Sequence, residues 1–342
     1  MLAGEYVAGD GMVVSTISRA EPAPGEVQIA VAFTGICGTD LHIVHGSMDS
    51  RTGARRVIGH EMSGVVSAVG AGVTTVSVGE AVTVMPLLWC GTCPTCLAGN
   101  SHICENLNFV GIDSTGSLQE FWTVPEHIVV PMPDGISLRD AALVEPIAVA
   151  HHDVERGRLA ADEHAVVIGG GPVGLLMAIV AAERGADVLV VEPDTFRRGV
   201  IEDLGFAAIS PEGNVGEAVS ARTGGAGADV AFEVSGSQGG LSTAVDVLRP
   251  RGRLVAVGIH TEPRLVDLKR VFWRELEIIG ARVYDRGDFE AAVGLVAAGS
   301  IPADAVITKV VPLTSAPTAF ELLSQGGAVM KVLVDCHVAV AR

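Results

Sequence analysis

The feature that most constrains this chain is the rhythm that begins at residue 164. "HAVVIGGG" reads as a buried strand, "PVGLLMAIVAAERG" as a helix, "ADVLVVE" as a second strand and "TFRRGVIEDLG" as a second helix. "ADVAFEVSG", "LSTAVDVLRP", "GRLVAVGI" and "LEIIGARVY" carry the alternation onward. Apolar strands joined by helices of this length build a parallel sheet from right-handed crossovers, with both faces covered. The turn after the first strand holds Gly169-x-Gly171-x-x-Gly174, with Pro172 and Val173 opening the helix. The first glycine permits a tight turn, the second lets backbone approach a pyrophosphate, and the third lets helix and strand pack closely. Phosphates then meet the free N–H groups and dipole of a helix N-terminus. Glu192 ends the next strand, where an acid grips the adenosine ribose hydroxyls and repels a ribose phosphate. The expected cofactor is therefore NAD rather than NADP, although Arg197 and Arg198 are of the type that pairs with that phosphate. "VAVGI" (255–259) ends a strand beneath the expected nicotinamide, which makes Val257 and Ile259 expected cofactor contacts.

At 342 residues the chain is long for a single core. Residues 1–90 break into short strands, "EVQIAVAFTGI", "MSGVVSAVGAGV" and "EAVTVMPLLW", between glycine and polar breaks. Beyond residue 286 the pattern predicts a helix over 288–299 and strands near "AVITKVVPL" and "MKVLVDC". The expected fold is α/β. A β-rich domain is built from residues 1–147 and 286–342, and a doubly wound dinucleotide domain from residues 148–285. The formal charge of −17 argues against a nucleic-acid partner. "MLAGEYVAGDGM" lacks a basic start and an apolar core, and the longest apolar run, "VGLLMAIVAA", falls far short of a membrane span. A cytoplasmic protein without membrane contact is the expectation.

Four of the six cysteines crowd into "CGTCPTCLAGNSHIC", residues 90–104. In a long chain of this type such spacing reads as metal rather than disulfide. Cys90, Cys93 and Cys96 are separated by two residues each, and Cys104 returns after seven to close a tetrahedral shell. Gly91, Pro94 and Gly99 supply the turns. Four thiolates leave no open coordination position, so this zinc is structural and the chemistry lies elsewhere.

Ligand-type residues recur in "GICGTDLH", with Cys37, Thr39, Asp40 and His42, in "GHEMSGVVSAVG", with His60 and Glu61, and in "ALVEPIAVAHH", with Glu145. Here the sequence resembles the zinc-containing medium-chain dehydrogenase/reductases over nearly its full length. Gly59, His60, Glu61, Gly64 and Gly70 match the family's G-H-E-x2-G-x5-G signature, and the cysteine lobe, the glycine turn and "FEVSG" follow in the family's order. "GICGTDLHI" and "VEP" look like the polyol (sorbitol-type), butanediol and threonine dehydrogenase branch.

The resemblance implies a GroES-like catalytic domain beside a Rossmann domain, and a catalytic zinc held by Cys37 and His60 with Glu61, Glu145 or both. Mixed sulfur, nitrogen and oxygen ligands leave a place for a substrate oxygen, whose pKa a zinc ion lowers. By the same resemblance Thr39 takes the hydroxyl proton and relays it toward His42, and Arg197 contacts the adenosine. Asp40 is expected to orient His60 from its far nitrogen. His45, His102, His127, His151, His152, His164, His260 and His337 match no ligand motif and read as structural. The expected activity is NAD-dependent oxidation of a secondary hydroxyl on a small-molecule polyol, sugar alcohol or vicinal diol. L-threonine 3-dehydrogenase, a general secondary alcohol dehydrogenase and, more distantly, a non-catalytic zinc and dinucleotide binder are the alternatives. Family habit points to a homotetramer or homodimer.

Overall fold

The glycine-punctuated strands of the first ninety residues and the two near the C-terminus meet in one sheet. The structure, a computed structural model, describes residues 1–326 and 328–337. Residue 327 and the end of the expected 286–342 range, residues 338–342, lie outside the described residues. The chain divides into two compact units, one formed by Met1–Glu145 together with the chain from Asp285 onward, the other by Pro146–Tyr284.

The first unit centres on the strand Glu26–Gly35, which pairs antiparallel with Glu61–Val69, Phe121–Pro125 and Lys331–Asp335. Ala81–Val84 and Val129–Pro131 extend the sheet on one side, and Ile307–Pro312 pairs parallel with Lys331–Asp335 on the other. Register decides what this sheet brings together. Gly35 lies opposite both Glu61 and Leu333, and Ile36 N–H continues the second ladder to the Val332 carbonyl. The residues leading into Cys37, the start of the His60–Glu61 stretch and the C-terminal strand are thus neighbours, though they are far apart in sequence. Strands Leu2–Val7 and Gly11–Thr16 pair with each other and, through the first, with Arg55–Val57 in a separate three-stranded sheet.

The second unit is a six-stranded sheet, all parallel. Its order is Ala207–Ile209, Asp187–Val191, His164–Ile168, Ala228–Glu233, Leu248–Ala256 and Glu277–Gly280. Numbered along the chain this is 3-2-1-4-5-6, so the order reverses between the first and fourth strands, where such sheets bind ligands at their carboxyl ends. On one face Val166, Ile168, Leu189, Val191 and Leu254 pack against Leu241, Ala244 and Val245 of the helix Gln238–Val247. Truncating any of these leucines to alanine would cost about 2–5 kcal/mol. The helix expected over 288–299 runs over Arg286–Ala297, started by Asp285, whose carboxylate accepts the Asp288 N–H.

Candidate active site and metal centres

Cys37 lies at the end of an extended segment and caps the short helix Gly38–Val44. Its N–H donates to Asp40 Oδ2 at 2.9 Å. The other Asp40 oxygen, Oδ1, faces His60 Nδ1 at 3.6 Å, both side chains almost fully buried. Asp40 therefore ties the cysteine's backbone and stands close behind the imidazole. The Phe109 and His60 rings pack edge to face, with centroids 5.1 Å apart and planes at 85°, which helps hold the imidazole's orientation. Glu61 opens the strand after His60 and is fully buried.

Donor atoms of Cys37, His60 and Glu61 all lie within 4.8 Å of one another. Glu145, in the first turn of the helix Val144–Arg156, is 4% exposed and outside that trio, but its charge is felt at both His60 and Lys331. Burial pushes the His60 proton off, yet Asp40, Cys37 and Glu145 outweigh it and lift the imidazole to about 10. A pocket of such negative potential, with a thiol, an imidazole and a carboxylate converging, suits a divalent cation that takes the proton's place. The residues present fit zinc.

Sequence reasoning missed Lys331. This lysine opens the C-terminal strand, is 2% exposed, and its ammonium group donates to the Ile36 carbonyl at 3.0 Å and pairs with Glu61 Oε2. Burial acts to lower its pKa, but Glu61, Cys37 and Glu145 raise it, so the ammonium stays charged. Gly35 makes the room, since a Cβ there would collide with the Glu61 carboxylate and press on Lys331 Cε at 3.2 Å. A single cation heading the apolar run "VLV" (332–334) was the available signal.

Thr39 and His42 stand three apart on the helix Gly38–Val44, hence on one side of it, and both are half-buried. The second centre is equally local. Cys90, Cys93, Cys96 and Cys104 converge with their sulfurs within 4.8 Å of one another. Gly91 and Gly99 take positive φ, and Pro94 starts the short helix Pro94–Leu97. Backbone N–H groups point at the sulfurs: Cys93 to Cys90, Cys96 to Cys93, Cys90 and Asn106 to Cys104, at 3.3–3.4 Å. N–H and hydroxyl bonds from Thr92 and the Cys93 N–H pull Cys90 down to about 5, whereas burial and the neighbouring sulfurs push Cys96 up to about 12. Four crowded sulfurs cannot all ionise unless a cation sits among them, which is the donor set of a closed zinc shell.

In the second unit Gly169 (φ +106°) follows the strand His164–Ile168, and Gly171 caps the helix Pro172–Glu183. Any Cβ at Gly174 would overlap the Gly169 carbonyl, so the third glycine is dictated by close packing. Glu192, 3% exposed, accepts the Gly170 N–H at 2.6 Å through Oε2 and the Asp194 N–H at 2.8 Å through Oε1. Its carboxylate therefore shapes the glycine turn, and each oxygen retains lone-pair capacity for a further donor. A guanidinium nitrogen of Arg197 comes within 3.6 Å of where a Gly171 Cβ would stand, whereas Arg198 is spent on the carbonyls of Glu192 and Pro193. Val257 is half-buried and Ile259 is 60% exposed. Tyr284 is fully buried, and Arg286 pairs with Glu290.

Comparisons with known proteins show the family. The alcohol dehydrogenase GroES-like domain model matches residues 23–134, and the zinc-binding dehydrogenase model matches residues 172–298. The chain is 45% identical, over 98% of its length and 99% of the other, to 2-dehydro-3-deoxy-L-galactonate 5-dehydrogenase of Pseudoalteromonas atlantica. Among solved structures, 2R,3R-butanediol dehydrogenase from Bacillus subtilis superposes with a TM-score of 0.90 at 30% identity, covering 98% of this chain and 99% of that one. A Sinorhizobium meliloti protein bound to NADP gives a TM-score of 0.91 at 28% identity, with 98% of each chain covered.

Proposed function

From the premise that this chain belongs to the zinc-containing medium-chain dehydrogenase/reductases, in the polyol and butanediol branch, we propose that it oxidises a secondary hydroxyl of a polyhydroxylated small molecule to a ketone, with NAD as hydride acceptor. The observation that carries the reading is the buried convergence of Cys37, His60 and Glu61. The substrate class takes in polyols, vicinal diols and sugar acids, because the relatives include dehydrogenases named for a deoxy sugar acid and for butanediol.

Cys37 and His60 would hold a catalytic zinc, with Glu61 or Glu145 completing the protein ligands. Bound there, zinc would lower the pKa of a substrate hydroxyl, and a nicotinamide would supply the hydride acceptor. What the chain itself does follows from its geometry. Asp40 fixes Cys37 through the backbone and stands behind the ring of His60, while Phe109 packs against that ring. Lys331 pairs with the Glu61 carboxylate and would hold it in place beside Cys37 and His60. Thr39 Oγ1 takes the hydroxyl proton and passes it toward His42 on the same side of the helix. Cys90, Cys93, Cys96 and Cys104 would bind a second, structural zinc. The glycine turn, with Gly169, Gly171, Pro172, Val173 and Gly174, would receive the pyrophosphate. Glu192 and Arg197 would hold the adenosine end, and Val257 and Ile259 would contact the nicotinamide end. The Glu192 carboxylate favours NAD over NADP.

We assign the reaction to the cytoplasm, since a reducing compartment keeps cysteines such as those of the two metal sites out of disulfides. A homo-oligomer is supported by the sheet edge Glu277–Gly280 and the exposed Phe272 (73%) and Trp273 (72%) of the helix Leu268–Arg274.

The test is a screen for NADH and NADPH formation over sugar acids, polyols, vicinal diols, threonine and simple alcohols. Turnover of a polyhydroxylated substrate with NAD supports the reading. Activity on threonine alone, or none with either dinucleotide on the zinc-loaded protein, would sink it.

A further inference from the structure

Glu233 closes the fourth strand of the parallel sheet and is fully buried. Its Oε1 accepts the Ser235 N–H at 2.9 Å and the Ser235 hydroxyl. Oε2 accepts the Gly236 N–H at 3.3 Å and faces His260 Nε2 at 3.0 Å. The Glu233 backbone carbonyl receives the N–H groups of Val257 and Gly258 at 2.9 and 2.8 Å. One residue thus holds two segments, 234–237 after the fourth strand and 257–260 after the fifth. The packing around the carboxylate is tight, since a Cβ at Gly240 would stand 2.8 Å from Oε1 and one at Gly258 3.1 Å from Oε2.

The sequence marks His260 as structural, but its ring is left unfinished. Nε2 faces an acceptor-only carboxylate and so carries the proton, which makes Nδ1 an acceptor in the neutral ring. Nδ1 is buried and has no hydrogen-bond partner among the described residues. Arg264, four residues on, donates to the Gly236 carbonyl at 3.4 Å, and its Nε is likewise buried and unpartnered among the described residues. Unpaired buried polar atoms are rare enough to need a reason. Two of them, one acceptor and one donor, belong to a loop beyond the carboxyl ends of the fourth and fifth strands, where doubly wound sheets bind ligands.

We propose that Glu233 and His260 form a clamp that presents the 257–264 loop to the dinucleotide, with His260 Nδ1 accepting from a hydroxyl or amide of the cofactor and Arg264 Nε donating to it. Glu233 is then a positioning residue and His260 a binding residue. The proposal rests on the nicotinamide-dependent reading given above.

The test compares NADH affinity, by fluorescence titration of the zinc-loaded protein, in wild type, His260→Leu and His260→Gln. Km values for NAD and for the alcohol, and melting temperatures, accompany the titration. His260→Leu should weaken NADH and raise Km for NAD about tenfold, the effect of losing one hydrogen bond to a charged or buried partner. Km for the alcohol should stay within about twofold. His260→Gln, which keeps a donor toward Glu233 and a nearby acceptor, should stay within about threefold of wild type. A merely structural histidine would move both Km values together with the melting temperature. Unchanged NADH affinity in folded His260→Leu, or equal losses in the leucine and glutamine variants, would overturn the clamp alone. Wild-type protein that binds neither NADH nor NADPH would overturn the underlying reading and the clamp with it.

Discussion

Replacing Lys331 by methionine keeps the reach of the side chain and removes its charge. In the native protein the ammonium group pairs with Glu61 where the two side chains are 2% and 1% exposed. Neither Glu61 oxygen has another hydrogen-bond partner among the described residues. Removing the lysine therefore strands a buried carboxylate, and breaking such a pair from one side costs about 3–5 kcal/mol. The Ile36 carbonyl, left without its 3.0 Å donor, adds about 1 kcal/mol. At roughly 2–4 °C per kcal/mol for a domain of this size, the unit carrying the site should melt about 10 °C lower or more. Calorimetry on chelator-treated wild type, Lys331→Met, Glu61→Gln and the double variant is the assay. The double variant should recover most of the loss, because a buried ion pair replaced on both sides by neutral groups of similar size is close to neutral. Excess zinc should narrow the gap for Lys331→Met, since the metal would then supply the positive charge facing Glu61. A single variant melting within about 1 °C of wild type, or a double variant as unstable as the sum of the singles, refutes the reasoning.

Cys37→Ser should lose turnover while NADH affinity and melting of the Pro146–Tyr284 unit hold; retained turnover would remove the cysteine from the catalytic centre. Cys93→Ala should lower zinc content from about two ions per chain to about one and cut stability sharply, both read by metal analysis and melting. Thr39→Val should lower kcat by about a hundredfold or more with NADH affinity unchanged, whereas an unaffected kcat would exclude the proton relay. Hydrogen bonding to Arg55 holds the Glu5 carboxyl below its ordinary value of 4.5. That stabilisation is present above 4.5 and is lost as pH falls through the depressed value. Arg55→Gln should therefore lower stability modestly at neutral pH and leave it almost unchanged in acid, since the pair is partly exposed; an equal loss at both pH values would refute it.

What the sequence revealed and what it hid divide along locality. The four-cysteine lobe and the glycine turn are each written within fifteen residues, so spacing alone carries them. The parallel sheet was legible because each strand and helix announces itself by its own periodicity. Lys331 was not, since its partners Ile36 and Glu61 reach it only through strand order, with 295 residues separating Lys331 from Ile36. Glu192 was legible as an acid at the end of a strand, but its bonds to the N–H groups of Gly170 and Asp194 depend on the folded turn. Asp40 looked like a hydrogen-bond partner for His60. It stands 3.6 Å from that ring and gives its shorter bond to the Cys37 N–H, a choice made by the helix cap. The helix Val144–Arg156, which carries Glu145, holds Pro146 in its first turn, where a proline is tolerated.

The most direct measurement is an anomalous difference map at the zinc edge from crystals of the zinc-loaded protein. The account predicts two peaks per chain, one among the four cysteines and one about 2.0–2.3 Å from both the Cys37 sulfur and a ring nitrogen of His60. A map with density only at the cysteine lobe, after zinc loading at neutral pH, would contradict it.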